Sequence, residues 1–301
     1  MEVTVVIPTY NRYTRLLETL RALTEQDYGN FKVIIVDDGS TESFYQGDRK
    51  FPDELPFPYE VIRQKNAGAS AATNRGVKAA KEGLIVLFDN DILPAKDCIS
   101  RHVAFHSNHP GAILSGSADT DLQRSNTDVQ RYKLHMEETW RKLRPDTEQL
   151  LRVGFDNFII TTANMSLPKK VYLDLGGFDE KLRDGYDVDF GFRALMKNIP
   201  LYFDRTIKTI HNDQISLRYY AGRQRAYTES KKKIAAQHPE LRAKLTGIDE
   251  QPPAFKRMLY SILRLKPVVG FLESGSLAWM LPKSLRYKIY GSTIAALSLK
   301  T

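Results

Sequence analysis

The chain has 301 residues, 42% hydrophobic and 27% charged, with one cysteine, so it holds apolar material for one large core or two modest ones and is neither a disulfide-stapled miniprotein nor a collagen-like repeat. Its net charge of +8 is uneven: residues 1–213 carry 28 Lys and Arg against 31 Asp and Glu, whereas residues 214–301 carry 16 against 5. That asymmetry implies an acidic body and a basic tail suited to an anionic partner.

In chain order, VTVVIP (3–8) reads as a strand, TRLLETLRALTEQ (14–26) as an amphipathic helix and KVIIVDD (32–38) as a second strand, which together make a βαβ unit. An extended piece (59–64), a small-residue helix (68–83) and the apolar strand LIVLFD (84–89) follow. Strands this continuously apolar belong in a parallel sheet covered by helices on both faces. Residues 112–118 read as a further strand, and the charged segment 131–144 as an exposed helix. VGFDNFIITTANMSLP (153–168) reads as one strand, followed by a short helix at 171–175, a turn at Gly176–Asp179, a helix at 187–198 and a last strand over 200–211. The expected organisation is an open α/β domain over 1–213 and a basic, mainly helical region over 214–301, with helices at 223–245 and 252–264. No internal repeat or low-complexity tract interrupts it.

In open α/β sheets the ligand crevice lies outside the carboxyl ends of the strands. Those ends here are Pro8-Thr9-Tyr10, Asp37-Asp38-Gly39-Ser40 and Asp89-Asn90-Asp91. Two carboxylates on one short turn suit Mg²⁺ or Mn²⁺, although Asp and Asn also favour plain turns. Several carboxylates converging on one sheet edge are costly unless a cation or hydrogen-bond donors compensate them. Asp187 and Asp189 open a helix, where a carboxylate either caps the helix or serves as a general base. His211 ends the last strand, either as a metal-ligating imidazole or as a surface residue. His-Glu-x-x-His, paired cysteines, Gly-x-Ser-x-Gly and a Walker loop are all missing from the sequence, which argues against zinc hydrolases, serine esterases and P-loop enzymes. GASAATNRG has the wrong glycine spacing for a dinucleotide loop.

Taken together and in order, VVIPTYNR, VIIVDDGST, KNAGASAATNRG, LIVLFDND, the asparagine of TANMSL, GGFDE, GYDVDFGFR and the late histidine resemble the inverting family-two glycosyltransferases of GT-A fold. The resemblance implies a Rossmann-like open mixed sheet. It implies a nucleotide-sugar donor, held by Pro8, Thr9, Tyr10, Asp38, Lys65, Asn66, Gly68 and Asp89. Asp89, Asp91 and His211 are then the ligands of Mn²⁺ or Mg²⁺, and Asp187 is the base. Asn164, Gly177, Phe178, Asp179 and Tyr186 fall on the sugar or acceptor side. Two positions depart from the family pattern: Tyr186 stands where a glutamate is usual, and Thr73 where arginine often precedes Asn74.

The donor expected is a UDP-sugar and the acceptor a glycan or lipid-linked molecule in surface polysaccharide synthesis. The competing reading is a non-catalytic nucleotide- or lipid-binding module derived from that fold; a nucleotidyltransferase would need a Gly-rich phosphate loop after the first strand. Phe255, Met258, Leu259, Ile262 and Leu263 fall on one helical face flanked by Lys256, Arg257, Arg264 and Lys266. Residues 223–301 therefore either meet an anionic membrane surface or pack on protein, including a second copy. Nucleic acid is not the expected partner. The lone Cys98, an opening that reads as a strand, and apolar runs short of the roughly 20 residues of a spanning helix suit a cytoplasmic or peripheral protein.

Overall fold

A computed structural model describes residues 1–41, 55–81, 83–121, 123, 125–142, 149–212, 215–245, 247–248 and 252–299, without the side chains of 140–142. Two compact units emerge: Met1–Asp119 with Asp146–Asn212, and Thr120–Pro145 with Asp213–Thr301.

The first unit runs β1 (Val3–Thr9), α1 (Tyr13–Thr24), β2 (Phe31–Asp37), β3 (Tyr59–Arg63), α2 (Ala69–Ala79), β4 (Leu84–Phe88), β5 (Ile92–Pro94), α3 (Cys98–Asn108) and β6 (Ile113–Thr120). After α4 (Asp128–Lys142), which belongs to the second unit, it resumes with β7 (Leu150–Val153), β8 (Asn164–Pro168), α5 (Lys169–Asp174), α6 (Tyr186–Met196) and β9 (Leu201–His211). Among the described residues these strands form one nine-stranded sheet in the order β3-β2-β1-β4-β8-β6-β9-β5, with β7 also on β9. β1 to β4 pair in parallel, while β8 is antiparallel to β4, and β5 and β7 are antiparallel to β9, so the sheet is mixed.

Side-chain alternation along the parallel strands separates two cores. Val3, Val5, Ile7, Val33, Val86 and Phe88 join the cluster that includes Leu16 and Leu20 of α1 and Ile99 of α3. Val6, Ile34, Val36, Ile85 and Leu87 join the opposite cluster with Ala72 and Val77 of α2 and Phe190 of α6. Each strand is thus buried on both faces, which is why its sequence is apolar without a break. The single strand expected over 153–168 is two: β7 ends at Val153, β8 begins at Asn164, and Phe158, Ile159 and Ile160 between them pack against the second cluster without joining the ladder.

A polar chain lies inside the first core. His106 Nε2 is 2.8 Å from Ser166 Oγ, Ser166 Oγ is 2.7 Å from His102 Nδ1, and His102 Nε2 is 2.8 Å from Asn164 Oδ1. Asn164 Nδ2 donates to the carbonyls of Ser117 and Ile207, so its Oδ1 accepts, His102 carries its proton on Nε2, and Ser166 donates to His102 while accepting from His106. Both rings are therefore neutral. Burial is the first cause that lowers His102 from 6.5 to about 4 and His106 to about 3. The unfolded chain takes up protons as pH falls through 6.5, whereas the folded chain stays unprotonated to about 4 and 3, so stability present above 6.5 is lost on acidification. Each histidine contributes up to about 1.4 kcal/mol per pH unit in that window, so about 3–4 kcal/mol is expected to disappear between pH 7 and 5. Urea midpoints measured across this range should fall steadily; a flat profile would show that the rings are not held neutral.

The second unit packs α4 with α7 (Leu217–Gln237), a 3₁₀ turn (Pro239–Lys244), α8 (Ala254–Leu263), α9 (Lys266–Glu273), α10 (Leu277–Met280) and α11 (Lys283–Ser298). The helix expected over 223–245 breaks at His238, because Pro239 cannot donate the next hydrogen bond. α4 is anchored rather than fully exposed. Asp128 Oδ2 accepts from Arg286 Nε at 2.9 Å and from the Tyr290 hydroxyl at 2.9 Å, beside a core of Val129, Tyr132, Leu217, Val269, Leu272 and Ile294. This is why 120–145, although it falls within 1–213, groups with the C-terminal helices.

Candidate active site

The site is built from strand endings. β1 and β2 pair in register through Thr9 and Asp37, and the amide of Asp38 donates to the Thr9 carbonyl at 2.9 Å. Asn90, just past β4, donates from its side chain to Thr9 Oγ1 at 2.7 Å, which ties the ends of β1 and β4 together. β5 runs back antiparallel to β9, with Ile92 opposite His211, and the Asn212 amide donates to the Asp91 carbonyl at 2.7 Å. This pairing carries a histidine 120 positions away in sequence to the Asp-x-Asp turn.

The result is a cluster of Asp89, Asp91 and His211 whose ligand atoms all lie within 4.8 Å of one another. His211 Nδ1 is 3.7 Å from Asp91 Oδ1, and Nε2 is 3.9 Å from Asp89 Oδ2. Asp91 is only 3% exposed, and the buried His211 Nδ1 has no hydrogen-bond partner among the described residues. Two carboxylates and an imidazole with an unused nitrogen fit a divalent cation such as Mn²⁺ or Mg²⁺. Arg12 and Arg15 supply positive charge beside the cluster, with Nη1 atoms 2.5 and 3.7 Å from Asp91 Oδ2. Neither arginine was expected here. Their spacing of three residues on the first turn after β1 puts them on one helical face, which is the signal that could have found them.

Asp187 sits half-buried at the start of α6, after Gly185 in the left-handed region at φ +69°. Its neighbour Tyr186 links it to the cluster: burial first, then the charges of Asp89 and Asp187, push the Tyr186 phenol well above its ordinary range, against the pull of a hydrogen bond with Thr162. Both charges oppose ionisation of that phenol. Asp189 is different. It is 2% exposed and bonds Arg193 through Nε at 2.8 Å and Nη2 at 2.6 Å, while Arg193 also donates to the carbonyls of Leu175 and Gly177. The two aspartates of one turn thus differ: Asp187 is half-buried at the helix start, and Asp189 clamps the Gly-Gly turn.

Of the other expected residues, Tyr10 is exposed and Thr9 is buried with its hydroxyl engaged by Asn90. Pro8 is half-buried and pairs with Val36. Asp38 accepts from Gln64 Nε2 and from the amides of Ala67 and Gly68 at 2.7–2.8 Å, so in this structure it shapes the loop that presents the exposed Lys65 and Asn66. Gly68 has φ +96°, and Gly39, at φ +77°, lets the Asn66 amide come so close that a Cβ would stand 2.8 Å from it. Asn164 lies inside the core opposite Phe88, with its amide bonded to Ser117, Ile207 and His102, so its side chain is spent on the sheet beneath the site.

Phe178 is 3% exposed, its ring 5.0 Å from that of Tyr186, and so packs against the start of α6. Gly177 and Asp179 line a separate recess of about 470 Å³ with Asn74, Lys78, Tyr172 and Glu180. The turn is docked by Asn74, whose Oδ1 accepts from the Tyr172 hydroxyl at 2.6 Å and the Phe178 amide at 2.9 Å, and whose Nδ2 donates to the Phe178 carbonyl and Glu180. Asn74→Ala should cost about 2–4 kcal/mol in urea unfolding, because it strands three buried polar groups. A loss below about 1 kcal/mol would show that the turn does not depend on this residue. Thr73, at the neighbouring departure from the family pattern, is buried and bonds the Ala69 carbonyl at 2.9 Å.

Comparisons with known proteins agree with this geometry. Among curated relatives, the uncharacterized glycosyltransferase YfnE of Bacillus subtilis is 25% identical over 262 residues, covering 72% of this chain and 66% of its own. Validoxylamine A glucosyltransferase of Streptomyces hygroscopicus is 27% identical over 229 residues, covering 67% and 53%. The chain thus spans about half to two thirds of the length of these relatives. Among solved structures, the mannosyltransferase PcManGT of Pyrobaculum calidifontis, in complex with GDP-Man and Mn²⁺, superposes with a TM-score of 0.63 at 18% identity, covering 98% of this chain and 85% of that one. TarS 1-349 of S. aureus, in complex with UDP-GlcNAc, superposes at 0.55 with 18% identity, covering 99% and 90%. The Glycosyl transferase family 2 profile matches residues 4–176. That match spans more than half of the sequence and takes in Asp89 and Asp91, with His211 beyond it; the fold is GT-A, and the chain belongs to glycosyltransferase family 2.

Proposed function

We propose that the protein is a metal-dependent inverting glycosyltransferase that moves a sugar from a nucleotide-sugar donor, a UDP-sugar, to a glycan or lipid-linked acceptor in surface polysaccharide synthesis at the cytoplasmic face. The observation that carries this reading is the cluster of Asp89, Asp91 and His211, whose ligand atoms all lie within 4.8 Å of one another. In this reading Asp89, Asp91 and His211 hold Mn²⁺ or Mg²⁺, which stabilises the negative charge of the departing diphosphate. The neighbours' complexes with GDP-Man and Mn²⁺ and with UDP-GlcNAc support a nucleotide-sugar donor and a divalent ion.

The chain's own groups do the rest. Pro8, Thr9, Tyr10 and the 64–68 loop border the nucleotide, with Asp38 fixing the loop. Asp187 accepts the proton of the acceptor hydroxyl as that oxygen bonds to the anomeric carbon and the carbon–oxygen bond to the diphosphate breaks, the electron pair leaving with the phosphate. One displacement inverts the configuration. A double displacement needs a nucleophilic carboxylate beneath the sugar, a role that the buried Asp189, paired with Arg193, does not offer.

Purified protein incubated with UDP- and GDP-sugars, with and without Mn²⁺, tests the proposal. The expected result is release of UDP that requires the metal and a product of inverted anomeric configuration by NMR. Nucleotide and vesicle binding without any turnover would replace it with the non-catalytic reading.

A further inference from the structure

The second unit carries an apolar surface that its own core leaves uncovered. Of the fifteen large hydrophobic side chains exposed among the described residues, nine lie between Phe255 and Leu285. α8 shows the pattern most plainly. Phe255, Met258, Leu259 and Ile262 occupy positions i, i+3, i+4 and i+7 and are 68%, 71%, 44% and 52% exposed. At 3.6 residues per turn they span an arc of about 100°, whereas Tyr260, the buried residue of this helix, points about 150° from the middle of that arc. The amphipathic pattern of α8 is therefore turned outward: its apolar stripe faces away from the side that packs. Leu265 extends the stripe past the helix end, and Trp279, in α10, is 93% exposed.

Charge identifies the occupant. Exposed Lys256 flanks the stripe, exposed Arg257 lies farther round the same helix, and exposed Lys266 and Lys283 begin α9 and α11. From Pro252 to Thr301 the sequence has eight Lys and Arg and one acidic residue, Glu273, whose carboxylate already accepts from the amides of Leu217 and Arg218. A second copy docking here through a two-fold contact would set the basic side chains of 252–299 against one another, with Glu273, the one acidic residue of that stretch, already engaged. No described helix is long and apolar enough to cross a membrane. We propose that the outward stripe of α8, with Trp279, seats on the surface of an anionic phospholipid bilayer: apolar side chains enter the acyl boundary, and the lysines and arginines meet the phosphates. This inference stands apart from the transferase reading, since it concerns binding alone.

Co-sedimentation with phosphatidylcholine vesicles, with and without phosphatidylglycerol, tests it. The intact protein should pellet with the anionic vesicles, and their addition should shift tryptophan emission to the blue in the parent but not in W279F. M258E/I262E, placed at exposed positions and checked for an unchanged circular dichroism spectrum, should lower binding tenfold or more. K256E/R257E should remove the preference for anionic lipid. Failure to bind either vesicle, or binding that M258E/I262E leaves intact, overturns the proposal. So does a dimer seen by light scattering that M258E/I262E returns to monomer, which would assign the stripe to a second copy.

Discussion

Asp91→Asn should abolish measurable Mn²⁺ binding and lower turnover at least about a thousandfold, equivalent to about 4 kcal/mol of transition-state stabilisation. The carboxylate is 3% exposed and divides its oxygens, Oδ1 facing His211 Nδ1 at 3.7 Å and Oδ2 facing Arg12 at 2.5 Å. An amide keeps the shape but removes the negative charge, leaving the two guanidiniums of Arg12 and Arg15 to repel a cation from a site with one remaining carboxylate. Titration with Mn²⁺ should detect this before any sugar is added. A variant that binds the ion within a few-fold of the parent and turns over normally would detach the cluster from the chemistry. His211→Ala should act in the same direction and less severely, since both carboxylates remain.

The strand ends of this site could be read from sequence because parallel strands deliver their carboxyl ends to one edge. Once VVIPTY, VIIVDD and LIVLFD are recognised as buried strands, Thr9, Asp37 and Asp89 must share that edge, and the register Thr9 to Asp37 realises it. His211 required more. Its approach depends on β5, three residues long and without a periodic signature, pairing antiparallel with β9. Hydrophobic pattern does not reveal so short a strand.

What stayed hidden is mostly polar contact between distant segments. Asn74 meets Phe178 104 positions on, and Asp128 meets Arg286 158 positions on; neither pair leaves a local trace. The same limit applied to α4. Its charged residues suggest a solvated helix, and only the cluster of Val129 and Tyr132 with α11 shows why the segment groups with the second unit. Asn164 was placed on the sugar side by the family resemblance alone. In fact it begins β8, an antiparallel strand, and its side chain enters the sheet to hold the neutral histidine chain.

The pair Asp187→Asn and Asp189→Asn separates proton transfer from architecture within one helical turn. Asp187 lies beside the phenol that also feels Asp89, and its replacement removes the group able to take the acceptor's proton while sparing the donor site. General-base loss is worth about 10²–10⁴ in rate. The expected result is therefore a fall of that size in kcat with unchanged nucleotide-sugar affinity and unchanged melting. Asp189→Asn instead leaves the half-buried Arg193 with a weakened partner, although that guanidinium still holds the carbonyls of Leu175 and Gly177. Weakening this half-buried pair from one side should cost about 1–3 kcal/mol, so this variant should melt early and lose activity in step with its folded fraction. If Asp187→Asn transferred sugar at the parental rate while Asp189→Asn remained folded and inactive, the roles of the two aspartates would have to be exchanged. The clamp on the Gly-Gly turn would then be the catalytic carboxylate.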